Sequence, residues 1–383
     1  MKKLLVALLA TAGITTAYAQ SSVSIYGLLD TGYIGSSAEG AVGNKAAKTT
    51  NSTFGNSAEQ TSRLGFRGTE DLGGGRSAFF TVETGLTPNQ GQASTWDNRQ
   101  SFVGIKQNGI GQVAFGTQYT SIHTAVAATD AGQQNNLIGD VIYATGASST
   151  TSGNGSNTAY TIRTANTVSL KSDNFKGFSA GGFATVANSN TTQTNSTGGN
   201  TNYNGYGLSA DYAWNKLYVV AAYQTLKSEQ TFTLSSPTYW TTNSSSVIPG
   251  GGVNTQDTQK YVGATYDFGV VKAFAQYVSR KATSTLSSNN YLSRTAQQIG
   301  VRGNFTSTID AWASVGNGRY DAFGPTTPTV NFNAFQIGSN YWLSKRTNLY
   351  AIYGQNKTSS TNVATLAPAL SSSNYAVGVR HTF

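Results

Sequence analysis

Polar and apolar positions alternate with a period of two along most of this chain, most clearly between Ser62 and Leu86. In the first half of that stretch Leu64 and Phe66 share one face, while Arg63, Arg67 and Thr69 share the other. In the second half Ala78, Phe80 and Val82 fall on one face, with Thr81 and Glu83 on the opposite one. Successive side chains of a strand point to opposite sides, so each half predicts a strand with one oily and one polar surface. Residues 70–75 between them read Glu-Asp-Leu-Gly-Gly-Gly, a turn that tolerates positive φ. A lone hairpin is not stable in water, so this unit requires further strands around it.

The same alternation predicts those strands. Val23–Tyr33 is the first, with Val23, Ile25 and Leu29 on one face and Ser24, Tyr26 and Asp30 on the other. A polar loop to about Gln60 separates it from the hairpin. Asn98–Lys106, Gln112–Thr120, Ile162–Asp173, Phe178–Asn188, Tyr203–Trp214 and Leu217–Lys227 follow. Thr258–Phe268, Val270–Lys281, Ser293–Asn304, Ile309–Asn317, Phe332–Trp342, Asn348–Lys357 and Asn374–Phe383 complete a set of sixteen. The connections alternate in length. Those at Asn174–Gly177, Asn215-Lys216, Gly269, Thr306–Thr308 and Leu343–Arg346 are tight, whereas Thr191–Asn202, Ser228–Asp257, Ala282–Leu292, Arg319–Asn331 and Thr358–Ser372 are long and polar. Alternation weakens from Ser121 to Thr161, a segment too long to be an ordinary connection.

Composition then decides what kind of sheet this is. Only 11% of the 383 residues are charged, well below the ~25% usual in soluble domains. The chain opens with Lys2 and Lys3, a short apolar run from Leu4 to Ile14, and the small-residue site Ala17, Tyr18 and Ala19. That layout predicts a signal peptide over residues 1–19 and a mature domain over 20–383. Its removal takes the formal charge from +9 to +7 by deleting the two lysines. No later stretch reads as a membrane helix, so a membrane-embedded sheet must close on itself to leave no unpaired edge. Short turns on one rim, long loops on the other, and aromatic residues at strand ends (Trp214, Tyr266, Phe268, Tyr341, Trp342) all match an outer-membrane barrel. The fold class is therefore all-β: a transmembrane antiparallel β-barrel of sixteen strands. With no cysteine and only His123 and His381 as imidazoles, thiolate-ligated and histidine-rich metal sites are excluded, and no cofactor is implied.

Four blocks of the chain carry a resemblance. The start SSVSIYGLLDTGY, the block SRLGFRGTEDLGGG, the pair NRQSFVGIK and GIGQVAFGTQYT, and the ending AVGVRHTF resemble the general porins of beta-proteobacteria. The resemblance covers nearly the whole mature chain. It implies a homotrimeric sixteen-stranded outer-membrane channel whose long third loop folds into the lumen. It also implies that the terminal Phe383, with the alternating aromatic Tyr375, is the signal read by the barrel-assembly machinery. The third loop departs from the family pattern in lacking a Pro-Glu-Phe-Gly element.

A channel selects by what lines its narrowest point. Arg63 and Arg67 share a face with no other role in a lipid-embedded strand, since each would cost roughly 2–4 kcal/mol near the bilayer midplane. They are therefore expected to line the lumen, paired or not with Glu83 or Asp30. Arg99 and Arg163 flank the long loop in contexts that resemble the family, which implies a basic ladder at the constriction. Strict parity places Arg99 with Val103 and Ile105, so its inward placement requires a bulge or a rim position. Asp130 and Asp140 are the acids of the long loop and are read either as an opposing wall that sets up a transverse field or as a solvated loop face. Further basic candidates for the lumen are Lys272, Arg280, Arg302 and Arg380.

The function read from these features is passive diffusion of small ions and hydrophilic solutes through a water-filled, anion-preferring pore. The alternative is a non-channel barrel that serves as an adhesin or a scaffold for surface loops. Surplus base also suits contact with acidic lipopolysaccharide. Nucleic acid is disfavoured because the charges are spread singly instead of clustering with exposed aromatics. An enzyme is disfavoured because His123 and His381 lack the nucleophile-and-base context that hydrolysis requires.

Overall fold

In the computed structural model the described residues are 22–42, 45–89, 99–143, 163–194, 197–230, 255–285, 288, 291–323, 329–359 and 370–383. Residues 1–19, the expected signal peptide, lie outside them. The strands are β1 (Ser22–Val42), β2 (Lys45–Asn56), β3 (Arg63–Gly73), β4 (Arg76–Gly85), β5 (Ser101–Gln107), β6 (Gly111–Tyr119), β7 (Arg163–Ser172), β8 (Phe178–Thr194) and β9 (Thr197–Trp214). They continue with β10 (Leu217–Gln230), β11 (Thr255–Asp267), β12 (Val271–Ser284), β13 (Tyr291–Asn304), β14 (Ile309–Phe323), β15 (Thr329–Trp342), β16 (Thr347–Thr358) and β17 (Leu370–Thr382). One helix, α1 (Ser121–Thr129), follows β6.

These strands form a closed antiparallel barrel of sixteen staves. β1 pairs with β17 in the register Leu28↔Thr382 to Glu39↔Ser371, and Gly27 and Phe383 exchange both backbone hydrogen bonds at 3.1 and 3.2 Å. On its other edge β1 pairs first with β3, from Ser22 to Leu28, and then with β2, from Thr31 to Val42. β2 and β3 therefore share one stave, interrupted at residues 57–62, which is why seventeen strands make sixteen staves.

The segment expected as a polar loop before Gln60 thus contains β2. Its sequence, KAAKTTNSTFGN, carries one large apolar residue, Phe54, so it has no oily face for a periodicity to detect. Its backbone pairing with β1 holds it instead. The remaining strands lie within a few residues of their expected bounds, and several extend further into the long-loop rim.

Apolar and polar faces are inverted relative to a soluble barrel. Val262, Ile299, Val315 and Ile337 are exposed, whereas Gln224, Gln259, Gln276, Gln298 and Gln336 are buried on the opposite face of the same wall. Outward apolar and inward polar side chains are what a wall between lipid and an aqueous lumen requires. Trp214, Tyr266, Phe268 and Tyr341 are exposed at strand ends, as an aromatic girdle requires. Trp342 is not part of it: its parity turns it inward, where its Nε1 donates to Asp310 Oδ2 at 2.6 Å and Arg380 lies over its ring.

Candidate channel lining

The connection after β6 is the third long one, and its described part, residues 120–143, is ordered by the wall. Thr120 caps α1, its Oγ1 accepting from the His123 backbone N–H. Ile122, Ala125, Val126 and Thr129 recur at helical spacing, and all four are buried. They pack against Val220, Ala222, Tyr261, Val278 and Ala296 on the buried face of β10–β13. Polar side chains of the wall hold the backbone. Gln224 accepts from Ile122 N at 3.2 Å, Gln298 accepts from Val141 N at 2.8 Å, and Gln336 donates to the carbonyl of Ile138 at 3.1 Å. Arg302 donates to the carbonyl of Ala131 at 3.1 Å, and Arg294 donates to that of Val141. Residues 121–143 thus cover the β10–β16 side of the wall. Expected as irregular, this stretch contains a helix whose apolar stripe is visible in the sequence at Ile122, Ala125 and Val126.

The basic residues singled out from the sequence gather on the other side, along β3–β7. Arg63 and Arg67 have the parity of Gly65, away from the apolar Leu64 and Phe66. The Arg63 Nε lies 3.6 Å from Glu83 Oε2, and Arg67 is exposed with its guanidinium 5.2 Å from the Tyr26 ring centre. Arg99 escapes strict parity because it precedes β5. In that connection Arg99 N donates to Glu83 O at 3.2 Å and Glu83 N to Gln100 O at 2.8 Å. This turn aims the Arg99 side chain at Glu83, to which its Nε donates, while its Nη2 donates to Tyr119 Oη at 2.8 Å. Arg163, which opens β7 opposite Tyr119, donates to the same hydroxyl at 3.1 Å and lies over the ring.

Arg63 and Arg99 flank one carboxylate, Glu83, while Arg67 lies beside Tyr26 and Arg163 beside Tyr119; the four arginines and Glu83 together carry a formal charge of +3 (four cations less one anion). Tyr26, which donates to Glu83 Oε2 at 3.2 Å, and Tyr119 act as the neutral part of this framework. Neither was singled out from the sequence, although the inward parity of Tyr26 is a usable signal. His123 stacks on Tyr119 with ring centres 3.8 Å apart, so the helix start is tied to the arginine cluster. Burial pushes the Tyr143 hydroxyl up to about 12, which keeps it neutral beside these cations. The basic lining continues towards the short-turn rim in a recess of about 330 Å³ that includes Arg67, Lys106, Thr81 and Gln112.

Asp130 and Asp140 are not an open acidic wall. Both are buried, and both cap turns of the loop. Asp130 accepts from Gly132 N at 3.1 Å and Gln134 N at 2.5 Å, and Asp140 accepts from Ile142 N and Tyr143 N at 2.7 Å. Burial and then the facing Asp140 carboxyl push the Asp130 carboxyl well above the usual range. Among the other basic candidates, Arg280 is paired with Asp257 at 2.7 Å, Arg302 with Asp310 at 2.5 Å and Arg380 with Glu59 at 3.5 Å, while Lys272 lies over Phe274.

A closed barrel that is apolar outside and polar and charged inside is a membrane channel of the outer-membrane β-barrel class. The chain belongs to the Gram-negative porin family, whose model matches residues 5–361. It is similar to an outer membrane porin protein of Bordetella pertussis, 29% identical with all of both chains covered. Outer membrane porin protein 32 of Delftia acidovorans is 35% identical over 47% of this chain and 48% of its own. The fold is also that of an anion-selective porin from Comamonas acidovorans, with a TM-score of 0.68, 22% identity, and 95% of this chain and 100% of that one covered. It is likewise that of OmpT of Vibrio cholerae in its trimer form, with a TM-score of 0.61, 15% identity, and 95% and 99% covered. The protein is an outer-membrane porin.

Proposed function

We propose that this porin passes small anions and anionic solutes in preference to cations, and that Arg63, Arg67, Arg99 and Arg163 form the basic wall of its constriction. The observation that carries this reading is the asymmetry of charge exposure. On one side four arginines stand with one glutamate, which Arg63 and Arg99 engage, whereas the acids of the facing loop are buried in its turns. Residues 121–143 then narrow the lumen from the other side as the inward-folded third loop. An anion at this point meets donors that replace part of its hydration without a matching acidic wall to repel it. The similar fold of a porin described as anion-selective supports the same reading. The test is a reversal potential in a planar bilayer under a tenfold potassium chloride gradient. A potential of the sign set by chloride is expected, and one set by potassium would overturn the anion preference.

The same reading makes the chain a diffusion channel without catalysis, exported by residues 1–19 and assembled as a homotrimer. Cross-linking of the purified protein in mild detergent is expected to give a trimeric band, and amino-terminal sequencing of the mature protein is expected to begin at Gln20. Phe383 is the assembly signal in this reading: its backbone closes the barrel against Gly27, and its ring and Tyr375 both face outward. Deletion of Phe383 is expected to lower the amount of assembled barrel in the membrane while leaving folding into detergent intact.

A further inference from the structure

The outward face of β13–β16 changes character one step above its apolar band. Ile299, Val315 and Phe335 are cross-strand neighbours and form an exposed apolar row. Two residues further towards the long-loop rim, the same face presents the row Gln297, Asn317, Asn333 and Lys357. The next row is Thr295, Arg319 and Asn331, and Lys260 belongs to it two staves away through Ser279. The two rows border a depression of about 650 Å³, large enough for a sugar-sized group. Gln297 donates to Asn317 at 2.6 Å across its floor. Arg319 is partly engaged by Asp321 at 2.7 Å, and Lys357 has no carboxylate within ion-pair distance among the described residues. Strands neighbour at about 4.8 Å and rise about 3.4 Å per residue, so Arg319 and Lys357, two staves and two residues apart, stand about 12 Å from each other at the backbone. Their long side chains can converge on one anion in that gap.

We infer that this depression is a binding site for the phosphorylated sugar headgroup of an outer-leaflet glycolipid. The inference rests on the placement of the barrel in the outer membrane with its long loops outward. Three features select that occupant. The depression begins where the apolar band ends, so a ligand there has its acyl chains beside Ile299, Val315 and Phe335. Its floor offers amides, which hydrogen-bond sugar hydroxyls. Its cations, Arg319 and Lys357, match a phosphate.

The test is native mass spectrometry of the purified porin in detergent with added lipid A, its enzymatically dephosphorylated form, or inorganic phosphate. Wild-type protein is expected to retain lipid A, to retain the dephosphorylated form about tenfold less, and to keep lipid A in millimolar inorganic phosphate, since loss of charge-assisted contacts weakens binding on that scale. The double variant Arg319→Gln, Lys357→Gln is expected to retain lipid A only at the dephosphorylated level. The control variant Lys216→Gln, Lys345→Gln, on the opposite rim, is expected to match wild type. Equal lipid A retention by the double variant and wild type would overturn the site. So would equal retention of the two lipid forms, and displacement by inorganic phosphate would overturn the lipid as its occupant. Channel conductance of the double variant reads the barrel separately: wild-type conductance alongside lost lipid retention is the expected result, whereas lost conductance would place the two residues in barrel assembly and overturn the assignment.

Discussion

Arg67 offers the cleanest perturbation of the channel, because its side chain is exposed and leans on Tyr26 instead of on a carboxylate. Arg63, by contrast, lies 3.6 Å from Glu83, so its replacement also alters the balance around that acid. Consider Arg67→Glu, with an ion passing about 7 Å from the charge. In water one such contact amounts to about 0.6 kcal/mol. At 0.1 M salt, with a screening length near 10 Å, about half of that remains, roughly 0.3 kcal/mol. Charge reversal changes the site by two units, so an anion loses about 0.6 kcal/mol and a cation gains as much. The anion-to-cation permeability ratio should therefore fall by about sevenfold, since 1.4 kcal/mol is a factor of ten. At 1 M salt the screening length drops to about 3 Å and the same substitution should change the ratio by only about 1.5-fold. The assay is the reversal potential of single channels in a salt gradient, measured at both concentrations. An unchanged ratio at 0.1 M would show that Arg67 lies off the ion path. An equal change at both concentrations would refute the electrostatic origin of the selectivity.

Three further substitutions test the framework behind that wall. Glu83→Gln leaves the buried Arg99 guanidinium without its counter-charge and is expected to destabilise the barrel by about 3 kcal/mol, read from urea unfolding in lipid vesicles, while raising anion preference. Asp140→Asn tests the effect of the facing carboxyl on Asp130. Because the folded pKa of Asp130 is raised, wild-type stability is greatest below the usual value of 3.8 and declines as pH rises from there towards the folded value. The wild-type melting temperature should therefore fall as pH rises from about 4, and it should fall less in the variant, whose amide can donate to the Asp130 carboxylate. A fall as large as that of wild type would show that Asp140 does not perturb Asp130. Gly354→Ala tests the loop: a Cβ there would overlap the carbonyl of Ile138, forcing residues 137–140 off the wall at a cost of about 1–3 kcal/mol. Single-channel conductance should change, and an unchanged conductance would show that this part of the loop does not set the bore.

Strand parity made the barrel wall legible, because lipid outside and water inside impose the same alternation on nearly every stave. The exceptions share a cause. β2 carries little apolar signal because it lies beyond the apolar band, where backbone pairing with β1, the Lys48–Glu39 ion pair and the Phe54 ring against Tyr33 hold it. Trp342 neighbours Tyr341 in sequence and so reads as girdle, yet one residue of offset turns it to Asp310. Arg99 has no definable parity because it sits in a turn, and the turn is what brings it to Glu83. The charge of the lumen was the least legible feature, since it depends on which ions remain exposed after pairing. Arg280, Arg302 and Arg380 are inward by parity, as are Arg63 and Arg67, but each of the three has its own acid. Asp130 and Asp140 are acidic in sequence, yet the fold buries them against each other. The formal charge of +9 over the whole chain therefore does not predict the sign of selectivity. The proposed anion preference rests instead on the local excess of three positive charges among Arg63, Arg67, Arg99, Arg163 and Glu83, set against loop acids that burial withdraws from the lumen.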